Sequence, residues 1–247
     1  KLEWFNPFGA VKDRVAANLI RDAEERGVLQ PGKNLVEATS GNTGLGMAMI
    51  ANQRGYGIQT PLSMGIPLEK RTVLRFFGSD VVELDDSLCP APGAPEGAIA
   101  KAHDKAKSDP DFEILDQYVN EANPGAHYRT TGPEIWEQTR GRVTHFVAGA
   151  GTGGTTSGAG RYLKEQNPDL QIVVADPEGS VYSGGAGRPY LVEGVGEDFW
   201  PDTYHPEFVD STIPISDAES FATAHRVTRE EGLLIGGSGG TAVAVSY

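Results

Sequence analysis

A glycine loop at residues 149–154, which reads G-A-G-T-G-G, is the first segment whose composition suggests chemistry. It follows an apolar run and precedes a helical pattern, which predicts a strand-to-helix junction. Backbone amides at a helix start can bind a phosphate group when no Cβ crowds them. Thr152, Thr155 and Thr156 add hydroxyl donors to the same region. The loop therefore predicts a phosphate site.

The same loop also fits a dinucleotide-binding fingerprint. It satisfies G-x-G-x-x-G, and Asp176 follows at roughly the 20-residue spacing expected of an acid that binds a ribose. A nicotinamide-dependent dehydrogenase built on residues 149–154 is therefore an alternative. A tight turn packed against a helix would give a similar pattern. Because amides at a helix start form a phosphate cradle whichever ligand carries the phosphate, we predict a phosphate site rather than a dinucleotide site.

Three other segments place polar groups beside glycine or proline turns. Lys12 follows N-P-F-G-A-V at a predicted helix start, where the positive helix end favours an uncharged, nucleophilic amine and thus Schiff-base chemistry. Residues 37–44 read E-A-T-S-G-N-T-G and offer hydroxyls and backbone amides that suit a carboxylate. Residues 236–240, G-G-S-G-G, place Ser238 at another helix start. Taken singly, a surface lysine and ordinary helix caps would explain each segment.

Together and in this order, the segments resemble the β-family of pyridoxal-phosphate enzymes (fold type II), which includes cysteine synthase and cystathionine β-synthase. The matching motifs are N-P-x-G-x-x-K-D-R, T-S-G-N-T-G, G-T-G-G-T and G-G-S-x-G, and the combination is highly specific. The resemblance covers nearly the whole chain. It implies pyridoxal 5′-phosphate as the cofactor.

The resemblance also implies which residues hold that cofactor. Lys12 would form the Schiff base and later move the Cα proton of the substrate. Asn42 would hydrogen-bond the ring hydroxyl oxygen, and Ser238 would face the pyridine nitrogen. The phosphate would be held by Gly151, Thr152, Gly153, Gly154 and Thr155.

For the substrates, the resemblance implies a second set of residues. Gln117 matches a glutamine of a substrate loop, Tyr118 would act near the reaction intermediate, and Gly194 would border the thiol. The amino-acid carboxylate would be bound by Thr39, Ser40, Gly41 and Thr43.

The implied reaction is a β-replacement, in which a thiol or sulfide displaces the leaving group of serine or an O-activated serine. Residues 116–118 (D-Q-Y) and 193–199 (E-G-V-G-E-D-F) look more like cystathionine β-synthase. Residues 128–136 look equally like the corresponding segment of cysteine synthases. Sulfide and homocysteine therefore both stay open as acceptors.

Two rivals remain beside this interpretation. The dehydrogenase leaves Lys12, residues 39–44 and Ser238 unexplained. A catalytically silent homologue could act as a binding or regulatory protein, but the retention of Lys12 argues against it, because Schiff-base chemistry is what requires an amine there.

Composition excludes several other classes. The 247 residues include 21 Lys and Arg and 34 Asp and Glu, which gives a net charge of −13. This negative charge would repel the phosphates of nucleic acid and argues against general nucleic-acid binding. No segment is apolar enough for a membrane span. One cysteine, Cys89, excludes an internal disulfide framework, and the histidine spacings indicate no metal site. Together with the absence of a signal peptide, this favours the cytoplasm. Both ends lie in apolar runs and are expected to be incomplete, and the family suggests a homodimer.

Strand and helix patterns alternate along the chain, which is typical of an α/β protein with a mostly parallel sheet. Strands are expected at 34–37, 58–62, 81–84, 114–118, 144–148 and 171–175. Helices are expected at 12–26, around 47–50, at 67–78, 96–107, 133–138, around 162–163, at 216–231 and from 236–240.

The alternation is weakest at residues 117–124, where we place a domain boundary. Residues 1–122 would form a smaller domain with the Schiff-base lysine and the carboxylate loop, and residues 123–247 a larger domain with the phosphate loop. The resemblance implies two open α/β/α domains of the tryptophan synthase β type, with the cofactor cleft between them.

Overall fold

A computed structural model describes residues 1–39, 41–85, 94–95 and 97–247. The predicted carboxylate ligand Ser40 and the loop cysteine Cys89 lie outside the described residues. The chain divides into two compact units, Lys1–Ala122 and Asn123–Tyr247.

The first unit is a parallel sheet with helices. Its strands follow the order β3-β2-β1-β4, and all three pairings are parallel. The strands are β1 (Asn34–Val36), β2 (Gly57–Ser63), β3 (Ser79–Leu84) and β4 (Phe112–Ile114). The helices are α1 (Lys12–Glu25), α2 (Asn42–Arg54), α3 (Leu68–Phe76) and α4 (Ala98–Ser108).

The helical spacing that predicted α1 is also what buries it. Val15, Leu19 and Ala23 are fully buried in the main core of this unit, where they join Leu35 of β1. The helix ends where predicted, because Gly27 adopts the left-handed conformation (φ +71°) that closes a helix at low steric cost.

The second unit is also a parallel sheet, with the strand order β5-β6-β7. Its strands are β5 (His145–Gly149), β6 (Gln171–Pro177) and β7 (Ser211–Ile215). Its helices are α5 (Ala122–Arg129, which starts one residue before the unit), α6 (Thr131–Gln138), α7 (Gly154–Gln166), α8 (Asp217–Glu231) and α9 (Gly237–Val245). The predicted cap of α8 is confirmed, since the Ser216 hydroxyl accepts the Glu219 amide at 3.2 Å.

Three elements differ from the sequence-based expectation. β4 ends at Ile114, so the predicted strand at 114–118 is wrong over most of its length; Asp116 has φ +51°, which turns the chain out of the strand. α5 was not predicted, because Pro124 looked like an interruption. Proline is tolerated in the first turn of a helix, where its missing N–H is not needed. β7 was also missed; it is largely exposed and contains Pro214, as an edge strand can.

Across the described residues, no helix combines the length and the apolar character that crossing a membrane requires.

Candidate active site

Lys12 is the first residue of α1, and hydrogen bonds within residues 6–13 stabilise the turn before it. The Asn6 side chain donates to the Ala10 carbonyl at 3.1 Å, and the Phe8 amide donates to Asp13 Oδ2 at 2.7 Å. Burial raises the pKa of Asp13, while the amides of Phe8 and Ala10 oppose that rise. The polar residues around Lys12 therefore fix where its helix begins.

A glycine in α2 brings that helix against the start of α1. A Cβ on Gly46 would lie 2.9 Å from Ala16 Cβ and 3.6 Å from Asp13 Cα, closer to Ala16 than side chains normally approach. Glycine at this position lets the first turns of α1 and α2 lie side by side. The fold of the first unit thus brings Lys12 near the segment that carries Asn42, the exposed first residue of α2.

The start of α2 is suited to an anion. Gly41 is its N-cap residue and makes no side-chain cap hydrogen bond, and the first turn contains no acid. Thr39 Oγ1 accepts the Gly44 amide at 3.1 Å and the Gly41 amide at 3.4 Å. With both acceptor positions used, the Thr39 hydroxyl keeps one proton to donate, and no described residue accepts it. Uncapped amides at a positive helix end favour a bound carboxylate.

Gln117 is tied to the same segment. Its Oε1 accepts the Thr43 hydroxyl at 2.8 Å, and its Nε2 donates to the Ala38 carbonyl at 3.3 Å. Both Thr43 and Gln117 are buried. Tyr118, the next residue, is half-buried, and its amide donates to Asp116 Oδ1 at 3.1 Å. The predicted substrate residues Thr39, Thr43 and Gln117 therefore form one connected group.

Glu37 is a functional candidate that sequence reasoning missed. It lies just after β1, is 2% exposed, and accepts the backbone amides of Asp116 at 3.0 Å and of Gln117 at 2.9 Å. Burial raises its pKa to about 7; the Gln117 amide lowers it and the nearby Asp116 carboxylate raises it. An acid two positions before the first residue of T-S-G-N-T-G, at the end of an apolar run, was the signal available in the sequence.

In the second unit, the phosphate loop requires its glycines. Gly153 is the N-cap residue of α7 with φ +79°, and a Cβ there would lie 2.6 Å from Tyr204 Cβ. A Cβ on Gly151 would lie 3.0 Å from the Gly194 carbonyl oxygen. No side chain caps α7, and its first turn contains no acid. This cradle fits the phosphate of the predicted cofactor, because no Cβ crowds the backbone amides at the start of α7.

The threonines of this loop divide into two groups. Asn123 Nδ2 donates to Thr152 Oγ1 at 2.8 Å, and His127 Nε2 lies 3.2 Å from Thr155 Oγ1. Thr156, by contrast, is fully buried and donates its hydroxyl to the Gly153 carbonyl at 2.9 Å. The prediction that Thr156 adds a ligand donor is therefore wrong.

Residues 194–196 lie along the same loop. The Gly196 amide donates to the Ala150 carbonyl at 2.7 Å, and a Cβ on Gly149 would overlap Val195. Gly194 itself is exposed with φ +85°, and nothing within 4 Å would meet a Cβ there. The structure therefore brings Gly194 to the phosphate loop, with open space beside it.

Ser238 is the second residue of α9, a helix whose N-cap residue is Gly236 and which also has no side-chain cap. Ser238 is half-buried. A Cβ on Gly240 would overlap the Ser220 carbonyl oxygen, so α9 packs directly on α8. Among the described residues, no hydrogen bond joins Ser238 to the phosphate loop.

Asp176, which the dehydrogenase alternative needs, is fully buried at the end of β6. Its Oδ2 accepts the Ser183 amide at 2.9 Å, and burial raises its pKa against the bonds from Ser183 and Ser180. A carboxyl group with no exposed surface cannot reach a ribose. Asp176 instead closes the turn after its strand.

The two parallel α/β units, each with a glycine at the N-cap of a helix, fit the fold type II class of pyridoxal-phosphate enzymes. The chain belongs to that group: the family model described as pyridoxal-phosphate dependent enzyme matches residues 1–246. This membership confirms the predicted resemblance, fold class, enzyme class and cofactor.

Relatives of two kinds are similar to the chain. Cystathionine beta-synthase of Apis mellifera is 42% identical over 248 residues, which cover 98% of this chain and 49% of that protein. The Oryctolagus cuniculus protein of the same name is 42% identical over 256 residues, 100% of this chain and 45% of its own length. Cysteine synthase A of Escherichia coli K12 is 41% identical over 256 residues, 100% and 78% respectively. The chain thus spans about half the length of the cystathionine beta-synthase relatives.

Proposed function

We propose that the protein catalyses a pyridoxal-phosphate-dependent β-replacement on serine or an O-activated serine, with a thiol or sulfide as acceptor, as a cystathionine β-synthase or a cysteine synthase. The observation that carries this proposal is the side-by-side packing of two helix starts in the first unit. One begins with Lys12, and the other begins at the uncapped Gly41. A nucleophilic amine beside a carboxylate-binding helix end suits a reaction at the Cα and Cβ of an amino acid.

The cofactor, when bound, supplies the electron sink for this chemistry. In the first unit, Lys12 would hold it covalently and Asn42 would contact its ring oxygen. In the second unit, residues 151–155 would bind its phosphate through the amides at the start of α7. Ser238 would contact the ring nitrogen; a hydroxyl does not enforce a protonated ring, which suits a β-elimination step.

Substrate recognition would fall to the start of α2. Thr39 offers a hydroxyl proton that no described residue accepts, and the amides of Asn42 and Thr43 offer further donors. Ser40 would add another hydroxyl. Gln117, held by Glu37 and Thr43, would complete the carboxylate site.

Proton transfer would fall to Lys12. Its amine would accept the Cα proton of the bound amino acid. Tyr118 would lie near the reacting amino acid, and Gly194, with open space beside the phosphate loop, would border the entering thiol. We also propose that the protein works as a homodimer in the cytoplasm.

Borohydride reduction followed by peptide mass spectrometry tests the central role of Lys12. Reduction fixes the cofactor on the lysine to which it is bonded, so the label should fall on the Lys12 peptide and disappear in Lys12→Ala. Lys101→Ala, at an exposed position on α4, is the matched control and should keep the label. A label that persists on another lysine would overturn the assignment.

The reaction itself is tested with a panel of donors and acceptors. Serine, O-acetylserine and O-phosphoserine are each paired with sulfide and with homocysteine, using the full-length protein. Turnover of any pair supports β-replacement. A protein that is labelled but inactive would favour the hypothesis of a catalytically silent homologue. A protein that instead binds a nicotinamide dinucleotide would favour the dehydrogenase hypothesis.

A further inference from the structure

The turn at residues 115–120 follows β4 and contains Gln117, to which the proposed function gives the substrate carboxylate. Asp116, the second residue of this turn, has φ +51°. A left-handed conformation costs free energy for any residue with a Cβ, and it persists only where neighbouring groups hold it. The contacts that hold Asp116 therefore also set the direction in which the next side chain leaves the backbone.

The backbone of the turn is held by Glu37, which lies just after β1. Its carboxyl group accepts the amides of Asp116 at 3.0 Å and of Gln117 at 2.9 Å. Within the turn, the Asp116 carbonyl accepts the Asn120 amide at 3.0 Å, and the Leu115 carbonyl accepts the Asn120 side chain at 2.8 Å. These bonds use backbone groups of Asp116, and its side chain bonds elsewhere.

The side chain of Asp116 has two partners, one inside the turn and one on α4. Its Oδ1 accepts the Tyr118 amide at 3.1 Å, and its Oδ2 lies 2.9 Å from Nε2 of His103. The Asp116 side chain is only 10% exposed, whereas that of His103 is 50% exposed. An imidazolium, or a neutral ring with its proton on Nε2, donates to a carboxylate. His103 therefore joins α4 to the turn at its left-handed residue.

We infer that His103 is a positioning residue for the amino-acid substrate, because its bond to Asp116 holds the turn that aims Gln117 at the substrate carboxylate. The effect passes through Asp116, since the Gln117 side chain itself bonds to Thr43 and to the Ala38 carbonyl. The inference rests on the proposed function, because it requires Gln117 to bind the substrate. It assigns to His103 an effect on the amino-acid donor and none on the acceptor or the cofactor.

Two substitutions of His103 separate this role from simple packing. His103→Leu keeps a side chain of moderate size but removes the donor, whereas His103→Gln places an amide near the position of Nε2 and can still donate to Asp116. Lys107→Leu, at an exposed position one turn later on α4, is the matched control. A half-exposed pair of this kind changes an equilibrium by about two- to fivefold.

Steady-state kinetics of the holoenzymes measures the effect on the substrate. In His103→Leu, KM for the amino-acid donor should rise about two- to fivefold, while kcat, KM for the acceptor and cofactor content stay unchanged. His103→Gln and Lys107→Leu should behave as the wild type. An unchanged KM in His103→Leu, or an equal rise in His103→Gln, would overturn the inference. A wild-type protein that turns over no pair of donor and acceptor would instead refute the proposed function.

Amide hydrogen exchange gives a readout that does not depend on the reaction. Without substrate, peptides that cover residues 116–120 should exchange about two- to fivefold faster in His103→Leu than in the wild type, because the turn opens more often. Peptides from α1 should exchange at the wild-type rate in the same variant. Unchanged exchange at residues 116–120 would show that His103 does not hold the turn, and would overturn the inference even if KM changes.

A double-mutant cycle tests the route through Asp116. Asp116→Gly removes the carboxylate, and glycine adopts φ +51° without a steric cost. In this background His103→Leu should cause no further change in KM or in exchange, because the partner of His103 is already absent. Additive changes would contradict the route through Asp116 and overturn the inference.

Discussion

Thr43 donates its hydroxyl proton to Gln117 Oε1 at 2.8 Å, and both residues are buried. The single proton of Thr43 is therefore used within the protein. Gln117 in turn donates to the Ala38 carbonyl at 3.3 Å, so its side chain joins the end of β1 to the first turn of α2. We infer that Thr43 serves the substrate carboxylate through its backbone amide and through the placement of Gln117.

The first prediction concerns this bond. Thr43→Val has the same shape but no hydroxyl, so Gln117 Oε1 loses its donor. One such hydrogen bond contributes about 1 kcal/mol, or roughly a fivefold change. We expect KM for the amino-acid donor to rise by about that factor, measured by steady-state kinetics, with cofactor content unchanged. Thr43→Ser keeps the hydroxyl and should behave as the wild type; equal effects of Val and Ser, or loss of cofactor, would contradict the prediction.

The second prediction concerns the pH dependence of stability, through Glu37. Its pKa in the folded protein is raised by burial from 4.5 to about 7. The folded state therefore holds this proton more tightly than the unfolded state, and its contribution is fully present below pH 4.5. As pH rises from 4.5 to about 7, the carboxyl group ionises while buried, and the free energy of unfolding falls by up to about 3 kcal/mol.

Glu37→Gln removes this titration. Urea unfolding at pH 5 and at pH 7.5 should show a smaller loss of stability in the variant than in the wild type. Glu113→Gln, at a half-buried acid on β4, is a control that should leave the wild-type difference in place. An unchanged difference in Glu37→Gln would show that other groups set the pH dependence. Glutamine has only one side-chain oxygen to accept the backbone amides of Asp116 and Gln117, which Glu37 accepts with two oxygens. The free energy of unfolding of the variant at pH 5 should therefore be lower than that of the wild type.

The third prediction compares two glycines of α7. A Cβ on Gly158 would overlap the Pro124 carbonyl oxygen, whereas a Cβ on Gly160 would meet Ile172 Cγ2 at an ordinary 3.4 Å. Gly158→Ala should therefore destabilise the protein by about 1–3 kcal/mol through overpacking. Gly160→Ala should be neutral or stabilise it by up to about 1 kcal/mol, because alanine favours a helix interior. Urea unfolding of both variants checks the contrast, and similar values would show that α5 moves without cost.

Local patterns were enough to predict the elements that carry the site. The spacing of Val15, Leu19 and Ala23 predicted α1, and the hydroxyl of Ser216 predicted the cap of α8. Such signals act within a few residues, so a sequence contains them directly. The order of the glycine motifs then indicated the family, because each motif brings a distinct set of donors to a helix start.

What could not be predicted depends on contacts between distant segments. Glu37 is 79 positions from Asp116, whose amide it accepts, and no local pattern links them. Asp116 has φ +51°, a conformation that is uncommon outside glycine. The strand pattern around it therefore did not predict that the chain turns there. His127 likewise meets Thr155 only because glycines let α5 and α7 approach. Long-range hydrogen bonds select these local conformations.

The last prediction concerns the acceptor. The cystathionine beta-synthase relatives are 42% identical to the chain and the cysteine synthase relative is 41% identical, so sequence identity does not decide between their acceptors. Glu197 follows the 194–196 segment, and its Oε1 would lie 3.8 Å from a Cβ on Gly151. Its amide donates to Ser180 Oγ at 3.2 Å, so its backbone is fixed beside the phosphate loop. Homocysteine carries an ammonium group that a carboxylate can attract, whereas sulfide has none. Glycine at position 194 leaves room for the larger thiol.

We therefore expect homocysteine to be accepted and Glu197→Gln to raise its KM. A charge pair at a half-exposed site contributes up to about 1 kcal/mol, so the rise should be roughly fivefold, with turnover of sulfide unchanged. Glu193→Gln removes a charge from an exposed position of the same segment and should leave both acceptors unaffected. Strong activity with sulfide and none with homocysteine would make the protein a cysteine synthase. If Glu197→Gln instead tightens the cofactor and leaves both acceptors unchanged, the carboxylate acts on the phosphate, because removal of a like charge beside the loop would favour that anion.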